Sequence, residues 1–143
     1  HTFDSTWHVG MGGGMGGTVS GPGTVRHRPD YIMINGREGA NTLSDSSTAI
    51  AAGAGQKVLV RATNTGYQPA LVRLGGIAFD VIASDGRPLA APVTTTSQLV
   101  APGERYDLLL TMPSSGQRTA TVDYYDIRRG SILGSVNTSV TVM

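Results

Sequence analysis

From Tyr31 to Val142 the chain is interrupted about every 8–12 residues by a glycine, a proline or an Asn-Gly signal. No run between these breaks carries apolar residues at helical spacing. Segments that short must be strands if they alternate, and the clearest one does. In Lys57–Asn64, Val58, Val60 and Ala62 alternate with Lys57, Leu59, Arg61 and Thr63, the period of a half-buried strand. Tyr31 to Arg37 is a strand run containing the turn dipeptide Asn35-Gly36. Ala70 to Leu74 is closed by Gly75-Gly76, and Ile77 to Ala83 runs into Asp85-Gly86. Ala101-Pro102-Gly103-Glu104 reads as a turn, because proline fixes φ near −65° and glycine supplies φ > 0. The strand after it puts Tyr106, Leu108 and Leu110 on one face.

The remaining strands are Arg118 to Tyr125, with Ala120, Val122 and Tyr124 on one side, and Ser135 to Val142. Thr48-Ala49-Ile50 is a candidate short strand within an otherwise polar loop over 38–55. Residues 84–98, with two prolines, read as a loop. Seven or eight short strands without a helix predict an all-β chain, a β-sandwich or Greek-key barrel.

The N-terminal part differs. Residues 1–9 form a candidate extended segment, and residues 10–23 hold eight glycines. So glycine-rich a run reads as linker or as a loop draped over a surface. The predicted organisation is therefore an N-terminal segment and linker over 1–27 and one domain over 28–143.

Charge and composition exclude several functions. Eleven cationic against ten acidic residues give a net charge of +1, which leaves no electrostatic footprint for nucleic acid. Only Lys57 among the eleven is lysine. The chain has no cysteine, which removes disulfides, thiolate metal sites and cysteine nucleophiles. No apolar run is long enough to span a bilayer, and none reads as a signal peptide. Every histidine precedes residue 28 and no G-x-S-x-G elbow exists, so no Ser-His-Asp order is available. The glycines of 10–17 lack the Gly-Lys-Ser/Thr that a phosphate loop requires.

Four segments then carry a resemblance. Tyr31–Gly36, Ala54–Asn64, Phe79–Gly86 and Ala101–Asp107 resemble, in order and spacing, the plastocyanin-like (cupredoxin) domains of multicopper oxidases, the laccase-like family, and in particular the second domain. The match covers residues 31 to 142. It implies a cupredoxin-like Greek-key β-sandwich that binds no copper itself and spaces the copper-binding domains of its parent. That parent couples one-electron oxidation of a substrate to reduction of dioxygen. The resemblance implies flanking cupredoxin domains or subunits as partners, copper in the parent, and an extracellular or periplasmic setting. No residue is assigned a catalytic role, and the isolated chain is expected to be redox-silent.

A blue-copper centre takes two His, one Cys and a weak axial ligand. The family places the Cys in the loop before the last strand, here Asp126 to Gly134, which has no Cys, His or Met. Copper-binding relatives carry Gly-His where this chain has Gly75-Gly76. The remaining copper candidates are His1, His8 and His27, with Met11 and Met15 as soft neighbours; the competing reading is that this tail is plain linker. Arg105 with Asp107, or Arg61 with Asp80, are candidate ion pairs that pin loops, and Asp123 reads as part of a solvated strand face. The contrasting function is a binding or assembly module in which residues 1–23 carry a strand onto a neighbouring subunit's open edge.

Overall fold

A computed structural model describes residues 2–12, 31–35, 37, 38 and 48–143. The linker reading of residues 13–23 lies outside the described residues, as do His1 and His27.

The described chain is all-β. Its strands are β1 (Thr2–Gly12), β2 (Tyr31–Ile34), β3 (Arg37–Glu38), β4 (Ile50–Ala52), β5 (Lys57–Asn64) and β6 (Ala70–Leu74). They continue with β7 (Phe79–Ser84), β8 (Arg87–Thr95), β9 (Ser97–Val100), β10 (Arg105–Thr111), β11 (Gln117–Asp126) and β12 (Ser131–Val142). Two sheets result, one ordered β3-β2-β1-β5-β10-β7-β8 and the other β4-β12-β11-β6-β9.

The alternation seen in the sequence is the burial pattern. Val58, Val60 and Ala62 of β5 are buried, as are Leu108 and Leu110 of β10 and Phe79 and Val81 of β7. From the second sheet, Ala70, Val72 and Leu74 of β6 meet them with Ala120, Val122 and Tyr124 of β11. Period-two side chains from two sheets thus enclose one apolar core. Each fully buried Val, Leu or Phe contributes about 1.5–3 kcal/mol.

Four features depart from the expectations. β1 lies inside the first sheet, parallel to β5 from Thr2↔Lys57 to Val9↔Asn64 and antiparallel to β2. It is seated in its own chain's sheet and includes Gly10 and Gly12 of the glycine-rich run. Residues 84–98 are two edge strands rather than a loop, because β8 and β9 end their sheets. An edge strand tolerates Pro88 and Pro92, and with only Leu89 turned onto the core it shows no alternation to read. β8 also carries three extra residues against β7 between the pairs Val81↔Val93 and Ala83↔Pro88, a wide irregularity. Finally, β12 begins at Ser131, so the loop expected over 126–134 is a turn over 127–130.

Candidate functional site

Strand direction decides which loops meet. Asn64 ends β5, and its amide nitrogen donates to the carbonyls of Gln68 (2.8 Å) and Val100 (2.9 Å). Its Oδ1 accepts from the Gly66 amide at 2.9 Å and from the Tyr124 hydroxyl at 3.4 Å. Its backbone N–H donates to Glu104 O, and its carbonyl accepts from Gly103 N. One buried side chain therefore ties the β5–β6 connection to the β9–β10 turn and to β11. That turn is the predicted one, with Gly103 at φ 80° and Glu104 N donating to Ala101 O at 3.0 Å, the form of a type II turn.

Asp85 clamps the neighbouring strand end. Its N–H donates to Arg105 O at 2.7 Å, and its Oδ1 accepts from Arg105 N at 3.0 Å. Asp80 accepts the Thr94 hydroxyl at 2.6 Å. Asp107 stands across from Arg61 in the β10–β5 register. The ion pairs among the described residues are Arg73–Asp123 and Arg129–Asp126, so neither loop-pinning pair expected from sequence is one of them. A hydrogen bond with Glu104 and then burial raise the Tyr106 phenol above its ordinary pKa, while burial alone raises Tyr124.

Asp123 is the second correction. It is buried, accepts from Arg73 and from the Ser135 hydroxyl, and is not part of a solvated face. Leu71 and Ser135 are its cross-strand neighbours on β6 and β12. Arg73, one register step further along β6, reaches over the carboxylate.

Copper was expected to be excluded at two positions, Gly75-Gly76 and the turn before the last strand. These positions lie at opposite ends of β11. Leu74 pairs with Ala120, whereas Tyr125 N donates to Pro69 O at 3.0 Å beside the 127–130 turn. Six residues of strand separate the two places by about 20 Å, so they cannot face one ion. At this end of β11, Tyr125 bonds Pro69 of the connection over 65–69, Tyr124 bonds Asn64, and Asn64 bonds the turn over 101–104; neither connection contains His, Cys or Met.

Gly75 and Gly76 both have positive φ (64° and 80°). A Cβ on Gly75 would stand 2.6 Å from Arg118 Cβ, and a histidine at Gly76 would be strained by the backbone alone. The described residues include no group of three His, Cys, Asp or Glu able to hold a metal ion. The described side chains include no His or Cys, the donors that a blue-copper centre takes. Of the sequence candidates, His8 falls in β1 opposite Thr63, and its side chain, with His1 and His27, lies outside the described residues. No described helix is long and apolar enough to cross a membrane.

The structure superposes on a blue copper oxidase from Nitrosomonas europaea with a TM-score of 0.70 and 21% identity, covering 97% of this chain and 43% of that one. It matches a Campylobacter jejuni multicopper oxidase described as a metallo-oxidase with a TM-score of 0.67 and 14% identity, over 99% of this chain and 30% of that one. A laccase from Botrytis aclada gives a TM-score of 0.66 at 14% identity, over 98% and 29%. The chain thus spans less than half the length of these proteins, and they share with it the cupredoxin fold. No curated protein matches the sequence. The family model for multicopper oxidases matches residues 9–141. By that match the chain belongs to the multicopper oxidase family.

Proposed function

We propose that this chain is a copper-free cupredoxin domain, the middle one of its parent, which acts as scaffold and spacer between copper-binding domains. The parent is an extracellular or periplasmic enzyme that couples one-electron oxidation of its substrate to the reduction of dioxygen. The supporting observation is the composition of the strand end where β5, β9 and β11 are tied together through Asn64. There the partners of the buried Asn64 are Gly66, Gln68, Val100, Gly103, Glu104 and Tyr124, and none of them is a His, Cys or Met donor. These loops are braced by hydrogen bonds through Asn64, which suits a part that holds other parts at fixed distance.

Two measurements test this. The parent polypeptide on either side of residues 1 and 143 is expected to carry paired His-X-His motifs, and their absence from both sides would overturn the reading. Titration of the chain with Cu(II) is expected to show no site tighter than micromolar. Tight binding that disappears when His1, His8 and His27 are replaced by glutamine would place copper in the N-terminal segment and end the copper-free assignment.

A further inference from the structure

Most of the large exposed apolar side chains fall on one side of the molecule. On the outer face of the five-stranded sheet, Leu99 of β9 pairs with Leu71 of β6, and Leu71 pairs with Asp123. The next outward row holds Tyr125 opposite Ile132. Leu99 is 43% exposed and Ile132 53%. At the end of the same hairpin Ile127 is 64% exposed, and Tyr67, in the connection whose Pro69 bonds Tyr125, is 72% exposed. Among the described residues only Val93 and Met143 are comparable apolar groups elsewhere.

The charges on this face are sorted by height. Asp123, with its side chain 3% exposed, lies under Arg73, whose side chain is 45% exposed. Asp126, 19% exposed, is paired at 3.7 Å with Arg129, 44% exposed. Arg128 is exposed and gives its backbone N–H to Asp126 Oδ1. The carboxylates are covered and the guanidiniums outermost, so the face presents leucine, isoleucine and tyrosine inside a cationic rim.

We propose that this face docks against a neighbouring domain of the same polypeptide, whose matching surface is apolar with exposed carboxylates. The proposal rests on the reading of the chain as one domain of a larger oxidase. An apolar patch within a charged rim is the anatomy of a protein interface, and aromatic and arginine side chains are its usual anchors. Two observations choose the occupant. The chain spans 43% of one similar oxidase and under a third of two others, so each of those carries more than half its length beyond the matched part. A second copy would present the same outward guanidiniums above covered carboxylates, and so no exposed carboxylate to meet them.

The test uses the parent polypeptide, with hydrogen–deuterium exchange read by mass spectrometry. The double variant I127S/I132S and the charge reversal R128E/R129E are each expected to raise exchange in β9 and the β11–β12 hairpin by about tenfold or more. V93S, on the far edge strand β8, is expected to leave that exchange unchanged. Unchanged exchange in both face variants would overturn the docking face while leaving the scaffold reading standing, because that reading is decided by the flanking sequence. A 143-residue chain that sediments as a dimer, and as a monomer once I127S/I132S is introduced, would assign the face to a second copy and likewise overturn the proposal.

Discussion

The Tyr124 hydroxyl meets Asn64 Oδ1 at 3.4 Å, joining the two sheets at a point where both side chains are buried. Asn64 also satisfies two carbonyls and one amide, whereas this phenol bond is long. Asn64→Ala strands several buried polar groups at about 1–3 kcal/mol each, so a loss of about 3 kcal/mol or more is expected. Tyr124→Phe removes one weak bond and is expected to cost below about 1 kcal/mol. Urea unfolding midpoints check the order, and equal shifts would contradict the bracing role of Asn64.

Gly75 and Gly55 make a matched pair. Both have positive φ, 64° and 74°, but a Cβ on Gly75 meets Arg118 Cβ at 2.6 Å while one on Gly55 meets nothing within 4 Å. Gly55→Ala is expected to cost about 1–2 kcal/mol from backbone strain alone. Gly75→Ala adds an overpacking cost of about 1–3 kcal/mol. Thermal unfolding of the two variants measures the difference directly.

Asp123 is held by Arg73 and Ser135. Removing one partner of a fully buried pair costs about 3–5 kcal/mol. Arg73 is nearly half exposed and can turn to water, so Asp123→Ala is expected to cost about 2 kcal/mol. Ser135→Ala is expected to cost less than half of that. Denaturant titration that ranks Ser135→Ala above Asp123→Ala would refute this arrangement.

Alkaline pH should weaken the fold through Tyr124. Burial raises its pKa above the ordinary 10.0, so the folded state keeps a proton that the unfolded chain has begun to lose. The contribution is complete below the unfolded pKa and falls as pH rises past it toward the folded value. Tyr106, raised by Glu104, acts in the same direction. Between about pH 9 and 11 the native chain is expected to lose more stability than Tyr124→Phe, as measured by the pH dependence of the melting temperature.

How far the fold was readable depended on what each strand faced. β5, β6 and β10 have one face in the core; β5 ends at Asn64, β6 stops before Gly75 and β10 starts after a Pro-Gly turn, so alternation and turn chemistry coincide with their limits. β8 is exposed along most of its length, with only Leu89 packed against the core, and an edge strand tolerates Pro88 and Pro92, so no alternation in its composition marks a strand. Asp123 occupies an outward position by parity, yet parity says nothing of the length of Arg73 one row away, which covers it. Antiparallel strands also send successive turns to opposite ends. A comparison of motifs does not track that, and so it pairs Gly75-Gly76 with a turn about 20 Å away.

The place of β1 has a consequence for synthesis. Thr2 pairs with Lys57, and β2 and β3 join the first sheet only through β1. A ribosome adding roughly 5–20 residues per second leaves β1 without its parallel partner for roughly 3–11 s. Until β5 emerges, a nascent chain carries an unpaired ribbon of β1, β2 and β3, the kind of open edge that neighbouring nascent chains can capture.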